Sequence, residues 1–220
     1  VCLHIGSSSQ LAITAPDAPI DVLMGLQPVN IIQCAADLLF SPVLRKFPEL
    51  KVSLSEGGIG WIPYFLERMD WTYERHHRWT GQDFGGRLPS EVFTERIVTC
   101  FIDDPTGVAL RHRVGIDGIC WEADYPHSDS TWPVSPETLL PSLQSVAPDE
   151  IEKITHRNAM RHFRFDPFAH RPRQRCTVGA LRAGATDVDV TPRAASGERP
   201  AGGRHTRASD LLQPGIAGRR

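Results

Sequence analysis

Short apolar runs alternate along the chain with longer segments in which apolar residues recur at helical spacing. The apolar or alternating runs predict four β-strands, at residues 2–6, 50–55, 97–102 and 118–123. Apolar positions three or four residues apart predict the helices between and after them, at residues 21–40, 60–79, 106–114, from 135 onward and 148–163. This repeated order of strand and helix predicts an α/β domain with parallel strands.

Each predicted strand is followed by a polar side chain. His4 lies near the end of the first strand, Glu56 follows the second, the pair Asp103 and Asp104 follows the third, and Asp124 follows the fourth. Because the carboxyl ends of parallel strands meet at one edge of a sheet, these side chains are expected to lie together. A functional site at this edge is therefore predicted.

Each of these residues also has a structural interpretation. A histidine after apolar residues is often a core or loop residue, and Asp124 could cap the next helix rather than hold a metal ion. Glu56 could be a carboxylate that accepts backbone N–H groups at a helix N-terminus. For Asp103 and Asp104 the helix cap is the favoured interpretation.

Composition limits the class of protein. The chain has 220 residues, of which 40% are hydrophobic and 23% charged, as in ordinary globular domains. The sequence contains no run of about 18 apolar residues, so no membrane span is predicted. Residues 1–4 lack the basic start of a signal peptide. The five cysteines are scattered, which favours reduced thiols and a cytoplasmic location.

The last 52 residues differ chemically from the rest. Residues 169–220 contain ten arginines and four acidic residues, and they contain no Phe, Tyr, Trp, Met or Lys. Such a segment cannot bury a core, so residues 169–220 are predicted to be a disordered tail after a domain at residues 1–168. Arginine attracts nucleic acid, but the tail lacks the aromatic residues that stack on bases, so we do not predict nucleic-acid binding.

Several motifs in order along the chain resemble the amidohydrolase-related family, in the branch of aminocarboxymuconate semialdehyde decarboxylase (amidohydrolase family 2). The motifs are SEGGIGWIP followed by FLERMD, FSPVLRKFP, WEADYPH and the closing NAMRHF, at residues 55–63, 65–70, 40–48, 121–127 and 158–163. The resemblance covers about residues 1–168.

The resemblance implies a (β/α)₈ barrel that holds one divalent metal ion, most commonly zinc. The chain matches only the second half of such a barrel, strands 5–8. By motif, His4 resembles the metal ligand of strand 5 and Asp124 resembles the metal ligand of strand 8. The metal ion would act as a Lewis acid toward a substrate carbonyl or carboxylate.

Two departures from the family pattern stand out. The chain has no HxH motif of the kind that supplies ligands from strand 1, so it is expected to be part of a longer protein or to pair with another copy. Glu56 occupies the end of strand 6, where many relatives have a histidine that acts as acid or base. A carboxylate can also transfer a proton or bind metal, so Glu56 and Asp124 are the predicted catalytic residues.

Residues after Asp124 are predicted to contact the substrate. His127 lies three positions beyond Asp124, and Trp132 follows in the same loop. Either residue could instead only cover or pack the loop. We predict that His127 and Trp132 bind the substrate.

The predicted function is that of a metal-dependent hydrolase or decarboxylase that acts on a small carboxylic or carbonyl compound. The alternative is a non-catalytic remnant, or an interaction module, that lacks the ligands of strand 1. A small-molecule substrate is expected, with no membrane partner and with a homo-oligomer or a missing N-terminal half as the protein partner.

Overall fold

A computed structural model describes residues 1–6 and 12–189 of the chain. Four parallel strands form one sheet in sequence order: β1 (Cys2–His4), β2 (Val52–Ser55), β3 (Ile97–Phe101) and β4 (Ile119–Trp121). His4 is paired with Ser55 in the sheet, and Phe101 with Trp121. The sequence prediction of an α/β fold with parallel strands is therefore confirmed.

Helices connect the strands and continue beyond the last one. They are α1 (Ile20–Phe40), α2 (Val43–Lys46), α3 (Ile62–Thr80), α4 (Pro89–Arg96), α5 (Pro105–Ala109), α6 (Arg111–Val114), α7 (Ser135–Leu143), α8 (Pro148–Glu152), α9 (Asn158–Phe163) and α10 (Val178–Gly184). Helix α4 was not predicted, because the charged residues of this short segment leave little apolar periodicity. The helix predicted at 106–114 divides at Leu110, and a π-helical turn at Lys153–Arg157 interrupts the one predicted at 148–163.

The core lies between one face of the sheet and the helices. Side chains alternate between the two faces of each strand, and the face that bears Leu54, Phe101 and Ile119 contributes to a large cluster of buried residues. Helix α1 contributes Ile31, Ala35 and Leu39 to the same cluster. By length and composition α1 could cross a membrane, a property that it shares with buried core helices.

The other face of the sheet bears smaller side chains. Ser53, Val98, Cys100 and Cys120 are all buried on this face. Cys100 and Cys120 are paired on neighbouring strands, and the Ser53 Oγ and Cys100 Sγ atoms are 3.6 Å apart. Glu122, the next residue of this face after Cys120, extends the row toward the carboxyl edge of the sheet.

The ends of two helices depart from simple sequence rules. Phe163 is apolar but 52% exposed, because it lies at the last position of α9. Ser135 is the first residue of α7 rather than its N-cap, and the preceding Val134 makes no side-chain cap.

The segment after residue 168 contains helical structure as far as the structure describes it. A 3₁₀ turn at Arg173–Arg175 precedes α10. The Arg182 side chain pairs with Glu137 at the start of α7 and donates to the Pro133 carbonyl at 3.2 Å. Residues 169–189 thus differ from the disorder expected of them, and residues 190–220 of the predicted tail lie outside the described residues.

Candidate active site

The carboxyl edge of the sheet brings four of the predicted residues together. His4 is the last residue of β1, Glu56 directly follows β2, and Asp124 lies three residues after β4. The loop after β4 reaches back across this edge toward β1, so that the rings of His127 and His4 have centroids 6.4 Å apart. This convergence is the one that the sequence predicted from the ends of parallel strands.

Unusual backbone conformations direct two of the carboxylates. Glu56 has a φ of 63° and Asp124 a φ of 51°, both in the left-handed region that non-glycine residues seldom adopt. A hydrogen bond stabilises the Glu56 conformation, because the backbone N–H of Glu56 donates to Oε1 of Glu122 at 2.7 Å. Glu122 thereby connects the end of β4 to the end of β2.

A proton lies between His4 and Glu56. The Nδ1 of His4 donates to the Ile5 carbonyl at 2.6 Å, which leaves Nε2 facing Oε1 of Glu56 at 2.7 Å. The pKa of His4 is raised, chiefly by the bond to the Ile5 carbonyl and further by the Glu56 carboxylate, against the effect of burial. A cation that binds here would replace this shared proton.

Asp124 organises the other side of the cluster. Its side chain is only 7% exposed, and its Oδ1 accepts a hydrogen bond from Nδ1 of His127 at 2.7 Å. The His127 ring is 62% exposed, and its Nδ1 lies 3.9 Å from Oε1 of Glu56. A carboxylate that holds one ring nitrogen fixes the orientation of the imidazole, as commonly occurs behind metal-binding histidines.

The three carboxyl groups of the cluster repel one another. Burial is the main cause that raises the pKa of Glu56, followed by a hydrogen bond with Asp124, while His4 lowers it. Burial also raises the pKa of Glu122 to about 7, although the N–H of Glu56 acts in the opposite direction. The cluster therefore holds protons at a pH at which isolated glutamates are ionised.

Three side chains of the cluster could hold a metal ion. His4, Glu56 and His127 each offer one ligand atom, and these atoms lie within 4.8 Å of one another. Two imidazole nitrogens and a carboxylate oxygen form a donor set that suits zinc and other divalent transition metals. Asp124, predicted as a ligand, contacts two of these three residues through hydrogen bonds to Glu56 and His127.

The cluster opens into a cavity of about 290 Å³. Leu23 and Asn30 of α1 line it opposite the carboxylates, and Asp129 lines it beside His127. Asn30 also accepts the N–H of Gly6 at 2.6 Å, so α1 holds the chain that leaves β1. A cavity of this size accommodates a small organic molecule.

Trp132 lies apart from this cavity. Its ring packs against Tyr125 with centroids 5.1 Å apart, it is 39% exposed, and it is not among the residues that line the cavity. The substrate contact predicted for Trp132 therefore stays a prediction, whereas His127 lies on the cavity wall.

Asp104 has the structural role that the sequence favoured. Its Oδ1 caps α5 by accepting the N–H of Gly107 at 2.7 Å. Its Oδ2 accepts the N–H groups of Ile59 and Gly60, at 2.7 and 2.6 Å, in the loop that follows Glu56. A side chain at Gly107 would overlap Ile59 and Asp104, so glycine permits this close approach.

Sequence reasoning missed Glu122 and Asn30 as parts of the site. Glu122 precedes Asp124 by two positions, so strand alternation could have placed both on the same face. Asn30 is the one polar residue among the buried positions of α1, which are otherwise apolar, and a buried polar side chain of this kind often has a specific partner.

Comparison with known proteins identifies the family of the chain and structures with a similar fold. The family model described as amidohydrolase matches residues 12–165. Comparison with curated proteins gives no match. Among solved structures, an amidohydrolase from Mycobacterium avium subsp. paratuberculosis K-10 is 21% identical, with a TM-score of 0.53 over 64% of this chain and 34% of that one. The 5-carboxyvanillate decarboxylase of Sphingomonas paucimobilis is 20% identical, with a TM-score of 0.51 over 64% of this chain and 40% of that one.

These structural likenesses concern the fold, and the chain spans less than half the length of either structure. The family match covers most of the described domain and includes the predicted Glu56 and Asp124. On this match, and as its motifs predicted, the chain belongs to the amidohydrolase family.

Proposed function

We propose that the chain carries the metal-binding part of an enzyme active site that hydrolyses or decarboxylates a small carboxylic or carbonyl compound. The observation that carries this proposal is the cluster of His4, Glu56 and His127 within 4.8 Å at the edge of a cavity. Membership of the amidohydrolase family supports metal-dependent chemistry. The decarboxylase among the similar structures makes aromatic carboxylates a reasonable first substrate class.

We further propose that β1 to β4 correspond to strands 5–8 of a (β/α)₈ barrel. Four parallel strands in sequence order, with helices packed on one face, form such a segment. The small side chains of Ser53, Cys100 and Cys120 on the other face fit the crowded interior of a barrel. The first half of the barrel would then contribute further ligands and substrate contacts.

The residues present fit a divalent metal ion, for which we propose zinc. Such an ion supplies Lewis-acid polarisation of a substrate oxygen and acidifies bound water. His4 and Asp124 are the proposed ligands by family motif, and Glu56 and His127 have atoms in place to join them. The bond from His4 Nδ1 to the Ile5 carbonyl leaves Nε2 available for the ion.

Side chains of the cluster would transfer a proton to or from the substrate and orient it. Burial raises the pKa of Glu56, and its Oε1 lies 2.7 Å from Nε2 of His4, so Glu56 is placed to exchange a proton with a group bound in the cavity. Asp124 holds His127 in one orientation through its 2.7 Å hydrogen bond. The exposed His127 could then contact the carboxylate of a substrate in the cavity, with Trp132 farther along the same loop.

Metal binding by the purified chain tests this proposal. We expect the 220-residue protein to bind one zinc or cobalt ion per chain, and His4→Ala to abolish this binding. His112→Ala removes an exposed histidine outside the cavity and serves as the control. Absence of stoichiometric metal in the wild-type chain, or equal binding by the His4 variant, would favour the alternative of a non-catalytic remnant.

The remaining expectations also stand as proposals. The partner we propose for the site is a small molecule rather than nucleic acid or a membrane, and the proposed location is the cytoplasm. Release of CO₂ from aromatic carboxylates, assayed with the zinc-loaded protein, would distinguish decarboxylation from hydrolysis.

A further inference from the structure

Helix α3 exposes aromatic and charged residues that do not line the cavity of the candidate site. Its inner face is buried through Ile62, Phe65 and Leu66. Its outer face exposes Tyr64 to 75% and Trp71 to 38% of their surfaces. Large aromatic residues on a solvent-facing helix surface are typical of interaction sites.

The exposed face repeats every seven residues. Tyr64 and Trp71 are seven positions apart, and the same spacing relates the two glutamates and the two arginines that follow them: Glu67, Glu74, Arg68 and Arg75. Since two helical turns contain about seven residues, equivalent positions align along the helix axis. We call these six exposed residues the α3 stripe.

The α3 stripe is divided by charge. Each glutamate lies three positions after an aromatic residue of the stripe, and each arginine lies four positions after it. On a helix these two positions lie on opposite sides of the aromatic residue, so both glutamates are on one flank of the stripe and both arginines on the other. The guanidinium groups of Arg68 and Arg75 each lie 4.2 Å from the ring of Trp71. Glu67 pairs with Arg113 of its own chain, whereas none of the ion pairs of the described residues uses Arg68, Glu74 or Arg75.

We propose that the α3 stripe binds the same stripe of a second copy of the chain, with the two helices parallel. A two-fold axis parallel to the helices brings the acidic flank of one copy against the basic flank of the other. Glu67 then faces the partner's Arg68, and Glu74 faces the partner's Arg75. The symmetric contact of the two Trp71 rings lies between these ion pairs.

Charge complementarity selects this arrangement among the possible occupants. In an antiparallel pairing, acidic flanks would meet acidic flanks and basic flanks would meet basic flanks, which is repulsive. A nucleic-acid surface requires excess positive charge, but the stripe contains two acidic and two basic residues. Trp, Tyr and Arg are also the residues that most often contribute binding energy between proteins.

The contact would be small and therefore weak. From Tyr64 to Arg75 the helix extends about 17 Å, so the interface lies at the low end of the range for specific protein pairs. We expect a monomer–dimer equilibrium that is visible at concentrations of roughly 1–100 μM.

Sedimentation velocity over that concentration range tests the proposal. The wild-type chain is expected to dimerise. In Glu74→Arg, the new arginine faces Arg75 of the other copy, and the two-fold axis repeats this repulsive contact. The substitution is therefore expected to weaken association about tenfold or more. The exchange variant Glu74→Arg with Arg75→Glu restores opposite charges across the axis, so its dissociation constant is expected within about threefold of wild type.

A second double variant, Glu74→Arg with Arg68→Glu, is the matched control. It has the same net charge, but in the parallel pairing it places like charges opposite each other, so it is expected to be monomeric. Circular dichroism and thermal unfolding establish that each variant is folded. The proposal is overturned if the wild-type chain is monomeric at 100 μM. It is also overturned if the exchange variant associates as weakly as Glu74→Arg, or if the control variant dimerises more tightly than the exchange variant.

Discussion

Oε1 of Glu122 accepts the backbone N–H of Glu56 at 2.7 Å, across 66 positions of sequence. This bond supports a left-handed residue whose side chain reaches both His4 and Asp124. Within the cluster, Glu122 thus acts as a positioning residue, through the backbone of Glu56, rather than as one of the proposed metal ligands.

Removal of this acceptor is expected to loosen the metal site. Glu122→Ala leaves the N–H of Glu56 unpaired, so the Glu56 side chain should lose its fixed direction. We expect zinc affinity to fall about 10- to 100-fold, measured by competition with a chelator. Glu122→Gln retains an acceptor oxygen and should bind within about threefold of wild type. Equal affinities for both variants would contradict the positioning role.

Glu122 should also make the stability of the metal-free chain depend on pH. Its pKa is about 7 in the folded chain against 4.5 for an ordinary glutamate, so between these values the folded state holds a proton that the unfolded state has lost. Stability should therefore decrease as pH rises from about 4.5 to 7. Because Glu122 is partly exposed, the expected loss is about 1–2 kcal/mol.

Urea unfolding at several pH values, with a chelator present, checks this expectation. Glu122→Gln cannot titrate, so the difference between the two proteins isolates the Glu122 contribution from the other groups of the cluster. If the wild-type chain and the variant change in parallel with pH, the raised pKa of Glu122 is refuted.

Asp124 is expected to affect metal binding more than its neighbour in the same loop. Asp124→Asn removes the charge that holds His127 and faces Glu56, and we expect zinc affinity to fall at least about tenfold. Asp129 also lines the cavity, but among the described residues His127 is hydrogen-bonded to Asp124 and not to Asp129, so Asp129→Asn is the control. Titration calorimetry should show less than about a threefold effect for Asp129→Asn. A similar loss in both variants would indicate only a general effect of charge.

Asp104 is expected to contribute strongly to stability. Its carboxylate accepts three backbone N–H groups, from Ile59, Gly60 and Gly107. Asp104→Ala should reduce the free energy of unfolding by about 2–4 kcal/mol in urea denaturation. The adjacent Asp103 is exposed, and Asp103→Ala should cost less than about 0.5 kcal/mol. Comparable losses at both positions would rule out the bracing role of Asp104.

The sequence was sufficient for the strands, for most helices and for the edge at which the site lies. His4, Glu56 and Asp124 could be brought together in advance because parallel strands present their carboxyl ends at one edge. His127 followed because it shares the loop of Asp124. These predictions depend only on local periodicity and on chain order.

Other features depend on contacts between distant segments. The hydrogen bond between Glu122 and Glu56 forms because the Glu122 side chain, which follows β4, extends past β3 to the end of β2. No local sequence pattern indicates this contact. The π-helical turn at Lys153–Arg157 contains no proline or glycine, so no local signal marks it in the sequence. Trp132 does not line the cavity, and its ring packs instead against Tyr125, a contact that the sequence pattern does not indicate.

Arg182 lies beyond the residues that the family model matches, yet its guanidinium is bonded to the Pro133 carbonyl at the end of the loop that carries Asp124 and His127. The same group pairs with Glu137 in the first turn of α7, which follows that loop directly. One end of the loop that carries the candidate site is therefore anchored by a segment outside the residues that the family model matches. A substitution in that segment is therefore expected to change the position of this loop while every family motif remains intact.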